Sequence, residues 1–188
     1  MGKEFELKYQ ASPEALAQLR ARLGDFTPIT METHYYDTPE RDLGALRWTL
    51  RRRMENGVSI CALKTPGTND VRGEWETENA DIRQGVAALC RMDVPEEFRT
   101  LAGKGLVEVC GARFTRLAKL VEYPGGSAEV ALDQGVFLGG GKELPFSELE
   151  VELKSGSREA VEGYAAELAR GLETQSVSKF ERAMALGE

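Results

Sequence analysis

The chain has 188 residues, of which 41% are hydrophobic and 29% are charged, and this composition excludes a disordered protein. A net charge of −7 argues against a nucleic acid as partner, and no apolar run is long enough to predict a membrane segment or membrane partner. The N-terminus carries Glu4 and Glu6 where a signal peptide needs an apolar stretch, so we expect a cytoplasmic protein with a single domain over residues 1–188. A homodimer is compatible with this composition.

The first half of the chain alternates strand and helix patterns. Ser12 followed by Pro13 is typical of a helix start, and the leucines after it keep helical spacing to Gly24. Asn56-Gly57 is a hairpin turn sequence, and 66–70 also has turn chemistry. The patterns predict a helix over 12–24 and strands over 3–9, 34–37, 46–54, 58–65 and 72–78.

The second half predicts helices over 81–92, 96–103 and 157–172, a short helix from Ser178, and strands over 106–109, 112–122, 128–132 and 147–154. Glycine-rich turns at 124–126 and 139–141 make the links between strands short, which favours antiparallel pairing. We therefore predict an α+β fold. About eight antiparallel strands would close into a β-barrel, or tunnel, with helices packed outside, because closure removes exposed strand edges.

Four of the predicted strands carry charge at every second position. Alternate residues of a strand share one face, so each charged run lies on one side with apolar residues on the other. A solvated strand face is the simplest explanation of any single run. The four runs are Glu4, Glu6 and Lys8; Arg51 and Arg53; Arg72, Glu74 and Glu76; and Glu148, Glu150, Glu152 and Lys154.

If these faces converge on one interior, the acidic residues need cations. Two carboxylates about 4 Å apart repel by roughly 4 kcal/mol at an effective dielectric constant near 20. Mg²⁺ and Mn²⁺ are the natural partners because they prefer carboxylate oxygen. The arginines and lysines in turn need an anion of high charge density, and guanidinium groups fit phosphate well. Together these residue types indicate a site for a polyphosphate.

Several segments, in the same order along the chain, resemble the CYTH superfamily, also called triphosphate tunnel metalloenzymes. Glu4-Phe5-Glu6-Leu7-Lys8 is similar to the ExExK motif of that family, and Glu148-Leu149-Glu150-Val151-Glu152-Leu153-Lys154 is similar to its acidic strand. The other matching segments are Tyr36-Asp37-Thr38-Pro39, Leu50-Arg51-Arg52-Arg53, Leu63-Lys64, Arg72-Gly73-Glu74-Trp75-Glu76, Ala131-Leu132-Asp133-Gln134-Gly135 and Ser178-Lys179-Phe180-Glu181-Arg182. Any one motif is weak, but their order is specific.

The resemblance implies roles for named residues and a metal-assisted transfer of a phosphoryl group to water, with Mg²⁺ or Mn²⁺ as the metal. It implies metal ligands among Glu4, Glu6, Glu74, Asp133, Glu148, Glu150 and Glu152. It implies substrate binding by Lys8, Arg51, Arg53, Lys64, Arg72, Arg116 and Lys179, with catalytic roles for Lys8, Lys64 and Glu76. Alternatives stay open for three of them: a surface ion pair for Arg116, a turn cap before Gly135 for Asp133, and a snorkelling side chain for Lys179.

The implied substrate is a small-molecule triphosphate or nucleotide, first of all inorganic triphosphate. Adenylate cyclisation, as in class IV cyclases, hydrolysis of thiamine triphosphate, and non-catalytic binding of polyphosphate or nucleotide are the alternatives. Trp48 and Trp75 fall on the apolar side of their strands, which disfavours an aromatic platform for an organic group. His34 is the only histidine, so a catalytic role for it is conceivable, but we do not expect one. Cys61, Cys90 and Cys110 show no metal-binding spacing, so we expect reduced thiols.

Overall fold

The computed structural model describes residues 5–68 and 71–187, and these form an antiparallel sheet with helices, as the patterns predicted. The strands are β1 (Glu6–Gln10), β2 (Thr27–Asp37), β3 (Thr49–Glu55), β4 (Val58–Thr68), β5 (Val71–Glu78), β6 (Val107–Tyr123), β7 (Gly126–Gly139), β8 (Lys142–Gly156) and β9 (Glu173–Thr174). The helices are α1 (Pro13–Leu23), α2 (Asp42–Ala45), α3 (Ile82–Leu89), α4 (Glu96–Ala102), α5 (Arg158–Leu168) and α6 (Lys179–Met184). In the described residues, no helix has both the length and the apolar character needed to cross a membrane.

The strands form one sheet in the order β5-β4-β3-β2-β6-β7-β8-β1-β9. This is nine strands where about eight were expected, because the short β9 pairs with β1 through Tyr9 and Thr174. Contacts between residues divide the chain into two compact units. Unit 1 comprises the described part of Met1–Thr30 with Phe114–Val136 and Leu144–Lys179, and unit 2 comprises Met31–Arg113, Phe137–Glu143 and the described part of Phe180–Glu188.

Unit 1 has its apolar core on one face of its strands. Tyr9 of β1 lies opposite Leu149 of β8, and both side chains are buried. Helices α1 and α5 cover this face with residues such as Leu16 and Val161. Both helices begin with a serine cap, since Ser12 Oγ accepts from the Ala15 N–H at 3.2 Å and Ser157 Oγ from the Ala160 N–H at 3.1 Å. The charged residues of β1 and β8 are therefore left on the other face.

Unit 2 repeats this arrangement with different elements. Leu50 of β3 lies opposite Leu63 of β4, and both are almost fully buried in a cluster with Phe98 of α4 and Leu89 of α3. Trp48 and Trp75 pack against the same cluster, as their positions in the strand alternation predicted. The two tryptophans therefore belong to the apolar core of unit 2.

The turn between β3 and β4 follows directly from its two residues. Asn56 and Gly57 both have positive φ, 48° and 89°, as the two central residues of a type I′ hairpin turn require. The predicted hairpin is thus confirmed, and it sets the register in which Arg51 lies opposite Ala62 and Thr49 opposite Lys64.

Asp37, at the end of β2, holds the loop that follows. Its carboxylate accepts hydrogen bonds from the backbone N–H groups of Thr38 at 2.7 Å, Leu43 at 2.8 Å and Gly44 at 3.0 Å. The side chain is buried, and so are its bonds with Thr38 and Leu43, whereas the bond with Gly44 is partly buried. The Tyr36-Asp37-Thr38-Pro39 segment therefore has a structural role, and α2, which was not predicted, begins shortly after it at Asp42.

Several predictions were wrong in detail, and strands β2, β7 and β8 are each longer than predicted. Pro66 lies inside β4, beside a register shift between Thr65 and Thr68, where a turn was expected. The strands predicted over 106–109 and 112–122 are one strand, β6, in which Gly111 leaves room for the Thr33 carbonyl oxygen 2.7 Å from where a Cβ would lie. Asp133 lies in the middle of β7 and does not cap a turn.

Candidate functional site

The charged face of unit 1 begins with β1 and β8. Glu6 lies opposite Glu152 and Lys8 opposite Glu150, on the side away from the apolar core. Lys8 Nζ lies 3.2 Å from Glu6 Oε1, and Lys154 Nζ lies 2.8 Å from Glu152 Oε1. The alternation of charged and apolar residues on these strands thus separates two faces, as predicted.

At the buried end of this face, three carboxylates come together from two strands. Asp133 and Glu148 are fully buried and Glu150 is 8% exposed. One carboxylate oxygen from each residue lies within 4.8 Å of the other two. Such a group would repel itself strongly without cations between its members.

Arg116 of β6 supplies one of these cations. Its Nε donates to Asp133 Oδ1 at 2.8 Å and its Nη2 to Asp133 Oδ2 at 2.7 Å, which is the two-bond geometry that guanidinium favours. The same Nη2 also donates to Glu150 Oε2. Arg116 thus forms a buried ion pair within unit 1, rather than the exposed one that was the alternative in the sequence.

Lys179, the first residue of α6, supplies the other cation. Its Nζ contacts Asp133 Oδ2 at 2.8 Å, Glu150 Oε1 at 2.7 Å and Glu148 Oε1. Phe114 and Phe146 flank the ammonium, with ring centroids 5.3 Å and 5.7 Å from Nζ. The side chain therefore points inward to the carboxylates and does not snorkel to the surface.

Neighbouring charges determine the protonation states of Glu150 and Lys179. Burial alone would raise the pKa of Glu150, but the positive charges of Lys179 and Arg116 lower it to about 2. Burial would lower the pKa of Lys179, yet Asp133, Glu150 and Glu148 raise it above its ordinary value. Near neutral pH, Glu150 is therefore ionised and Lys179 is protonated.

The donor set of this cluster fits a hard divalent cation. Asp133, Glu148 and Glu150 offer three carboxylate oxygens close to one another, and oxygen ligands are those that Mg²⁺ and Mn²⁺ prefer. Glu152 lies on the same strand face, and Glu6 lies opposite it on β1. Glu4, also predicted as a ligand, lies outside the described residues.

Unit 2 carries a second charged face, also opposite its apolar core. Arg51 of β3 lies opposite Ala62 of β4, which lies opposite Glu76 of β5, so these three side chains form one row across the strands. In the adjacent row, Lys64 lies opposite Glu74, and Lys64 Nζ is 2.7 Å from Glu74 Oε1. Arg72 belongs to β5, but the described side chains do not include it.

Two arginines of this face have unused donors. The Nε atoms of Arg51 and Arg53 are shielded from solvent and have no hydrogen-bond partner in the described residues. Burial, and then the neighbouring charge of Arg53, lowers the pKa of Arg51. A buried guanidinium N–H without an acceptor is costly, and an anion bound on this face would supply the acceptor.

The two glutamates of the face differ in acidity. Burial raises the pKa of Glu76, and the carboxylate of Glu74 raises it further. Burial opposes ionisation of Glu74 as well, but the hydrogen bond and charge of Lys64, together with Glu76 and Arg51, outweigh this effect and lower its pKa. Glu74 therefore holds its charge more firmly, while Glu76 is the better proton acceptor of the pair.

His34 lies away from both charged faces. It is opposite Arg52 in the β2–β3 register, on the other side of these strands from Arg51 and Arg53. Its Nδ1 is 2.8 Å from Glu108 Oε1 and its Nε2 is 2.9 Å from Glu32 Oε1. Both ring nitrogens of His34 are therefore hydrogen-bonded to carboxylates outside the two charged faces.

One acidic residue of the unit 1 face was missed in the sequence. Glu129 of β7 is close enough for its charge to raise the pKa of Arg116, together with Asp133 and Glu150, although burial alone would lower that pKa. Glu129 is four residues before Asp133 and so shares its strand face. Extending the alternation from Asp133 back along the strand would have identified it.

Comparisons with known proteins agree with the resemblance. A family model described as CYTH domain matches residues 2–184. An inorganic triphosphatase of Haemophilus influenzae is 30% identical over 196 residues; the match covers 100% of this chain but 56% of that relative. The chain therefore spans little more than half the length of this relative.

Solved structures with the same fold cover nearly all of the chain. The PH1819 protein of Pyrococcus horikoshii OT3 is 25% identical with a TM-score of 0.64, and the match covers 97% of this chain and 99% of that one. HpAC1 of Hippeastrum, described by its dominant triphosphatase activity, is 20% identical with a TM-score of 0.67, covering 98% and 95%. At this identity, the likeness to HpAC1 shows the fold alone.

Proposed function

Because the chain belongs to the CYTH domain family, we propose that it is a divalent-metal-dependent triphosphatase with inorganic triphosphate as its substrate. The observation that carries the proposal is the cluster of Asp133, Glu148 and Glu150, three buried carboxylates with adjacent cations on a strand face opposite the core. The name of the Haemophilus relative supports the same reaction. Because the chain covers 56% of that relative's length, triphosphatase activity is proposed for the chain.

In this proposal, Asp133, Glu148 and Glu150 hold the divalent ion, Mg²⁺ or Mn²⁺, with contributions from Glu4, Glu6, Glu74 and Glu152. When bound there, a divalent ion would offset the negative charge of the phosphate oxygens and so would favour attack on phosphorus. The compact oxygen set supports this assignment, because each carboxylate group offers an atom within 4.8 Å of the other two.

The basic residues bind the phosphate chain. The buried, unpartnered Nε atoms of Arg51 and Arg53 support their assignment as phosphate ligands. Ala62 lies between Arg51 and Glu76 in its row, so the small side chain of an alanine separates the guanidinium from the carboxylate. The other proposed phosphate ligands are Lys8, Lys64, Arg72, Arg116 and Lys179.

Glu76 acts as the general base in this mechanism. Its raised pKa suits a group that accepts a proton near neutral pH. A carboxylate oxygen of Glu76 takes a proton from the attacking water, the water oxygen forms a bond to the terminal phosphorus, and the anhydride P–O bond breaks. Lys64 keeps Glu74 ionised beside it, and Lys8 orients the terminal phosphate.

We also propose that residues 1–188 act as one domain in which the sheet closes as a barrel around a charged tunnel. Both units support this by placing their charged residues opposite their apolar clusters. A cytoplasmic location and a homodimer remain predictions from the sequence.

Release of phosphate from triphosphate, ATP and thiamine triphosphate, each with Mg²⁺ or Mn²⁺, tests the function. We expect inorganic triphosphate to be the best substrate, because the tryptophans that could hold an organic group lie in the core. Glu76→Gln should lower the rate by about 100-fold or more, the scale of general-base catalysis. Glu143→Gln is the matched control, since Glu143 is an exposed partner of Arg113.

Two outcomes would contradict this proposal and identify another function. Formation of cyclic AMP from ATP, in place of phosphate release, would identify a cyclase. Binding of triphosphate without turnover of any substrate would identify a polyphosphate-binding protein.

A further inference from the structure

The three buried carboxylates of unit 1 already share a cation of the chain itself. Lys179 Nζ lies 2.8 Å from Asp133 Oδ2 and 2.7 Å from Glu150 Oε1, and it also contacts Glu148 Oε1. Nζ donates hydrogen bonds to Glu148 and Glu150 and forms an ion pair with Asp133, so the three carboxylates share this one ammonium group. The same three residues form the candidate metal centre.

Lysine and a metal ion cannot both occupy the centre of this group. A divalent ion such as Mg²⁺ binds carboxylate oxygen at about 2.1 Å, so an ion held by all three residues would overlap the ammonium. Two cations so close together would also repel each other strongly at low dielectric constant. Metal binding therefore requires the ammonium group of Lys179 to move away from its present position.

Arg116 does not compete in the same way. Its Nε and Nη2 form the two-bond pair with Asp133, and only Nη2 also reaches Glu150. Its ion pairs are with Asp133 and Glu150, whereas Lys179 touches all three residues. Lys179 is thus the cation whose position matches that of a shared metal ion.

We propose that Lys179 competes with the divalent cation for Asp133, Glu148 and Glu150 and thereby sets the affinity of the protein for that cation. Lys179 is in this respect a positioning residue, distinct from its proposed contact with phosphate. The inference rests on the proposed function, because it takes these carboxylates as the metal ligands.

The test is a calorimetric titration of Mg²⁺, and separately Mn²⁺, into the full chain without any triphosphate. Lys179→Met removes the competing charge and keeps an unbranched side chain of similar length. It should bind the cation about tenfold more tightly or better than the unaltered protein. Lys119→Met is the matched control, because Lys119 is also in unit 1 but donates to the Leu23 carbonyl oxygen, and its affinity should equal that of the unaltered protein.

A merely structural lysine would give a different result. If Lys179 only held the carboxylates in place, Lys179→Met would bind the cation with equal or lower affinity, and that result would overturn the inference while leaving the triphosphatase proposal intact. If neither the unaltered protein nor the variant binds a divalent cation, the metal site of the proposed function fails as well.

If Lys179→Met does not fold when a chelator has removed divalent cations, a second variant still tests the inference. Lys179→Gln removes the charge but keeps amide N–H donors for the carboxylates. It should also bind Mg²⁺ more tightly than the unaltered protein, and its melting temperature should rise more on addition of Mg²⁺. An equal rise in the two proteins would overturn the inference.

Discussion

Arg116 and Asp133 form a two-bond pair inside unit 1, with Nε–Oδ1 and Nη2–Oδ2 distances of 2.8 Å and 2.7 Å. The sequence assigned one residue to phosphate and the other to a metal. In the structure each is first of all the partner of the other. Their pairing keeps a fully buried carboxylate compensated, so it contributes to the stability of the fold as well as to the candidate site.

Arg116→Lys should therefore destabilise the protein although it keeps the charge. Lysine cannot form the two parallel bonds to Asp133, and we expect the free energy of unfolding to fall by about 1–3 kcal/mol. Arg113→Lys is the control, because Arg113 and Glu143 are both more than half exposed, and it should cost less than about 0.5 kcal/mol. Urea unfolding measures both; equal effects would contradict the buried pairing.

Leu149→Ala and Lys8→Ala should have opposite consequences because they lie on opposite strand faces. Leu149 is fully buried in the core of unit 1, so its truncation should cost about 2–5 kcal/mol. Lys8→Ala should change stability by less than about 1 kcal/mol but weaken triphosphate binding. Urea unfolding and calorimetric titration of triphosphate separate the two effects. A large loss of stability in Lys8→Ala, with binding intact, would contradict the assignment of faces.

Asp37→Asn should loosen the loop after β2. The carboxylate accepts three backbone N–H bonds, and an amide replaces one of its oxygens with a donor, so we expect a loss of about 1–3 kcal/mol. Asp93→Asn changes the same atoms at an exposed position and should have little effect. Thermal unfolding of the two variants provides the comparison, and equal melting temperatures would show that the three bonds contribute nothing.

Cys110 should resist thiol reagents in the native protein. Burial raises the pKa of this thiol from 9.0 to about 12, with Arg41 opposing and Glu108 adding to the effect. At about pH 8 a disulfide-exchange reagent should therefore react with the unfolded chain but not with native Cys110. Labelling followed by peptide mapping checks this, with the half-buried Cys90 as the internal comparison.

The same pKa predicts how stability depends on pH. The thiol of the unfolded chain ionises near pH 9, whereas the buried thiol stays neutral until about pH 12. The contribution of Cys110 is therefore present below pH 9 and lost as pH rises towards 12. Between about pH 8 and about pH 10.5, Cys110→Ala should lose less stability than the unaltered protein. Parallel losses in urea would contradict a buried neutral thiol.

Strand faces could be predicted from the sequence because the alternation of residues such as Phe5, Glu6, Leu7 and Lys8 is local information. The partners of the charges could not. Whether Arg116 contacts phosphate or Asp133 depends on the register of neighbouring strands and on the reach of each side chain. A local sequence pattern predicts neither. Lys179 is a clear case, since it is 29 residues from Glu150 and yet contacts it at 2.7 Å.

Element boundaries were less predictable for a related reason. The four residues of α2 and the two of β9 are too few to establish a period, and tertiary contacts define them. The gap predicted between 106–109 and 112–122 contains Gly111, which is a glycine because the Thr33 carbonyl oxygen leaves no room for a Cβ there. Glycine can mark a close approach as well as a turn, and the sequence alone does not distinguish the two.

The position of Lys179 also determines when charge compensation occurs during synthesis. The ribosome makes Asp133, Glu148 and Glu150 before it makes Lys179, so these acids emerge with Arg116 already present but without Lys179. A nascent chain interrupted between residues 150 and 179 would carry all three acids without the ammonium that they share. Stable burial of these three carboxylates therefore comes late in the synthesis of each molecule, after Lys179 has been added.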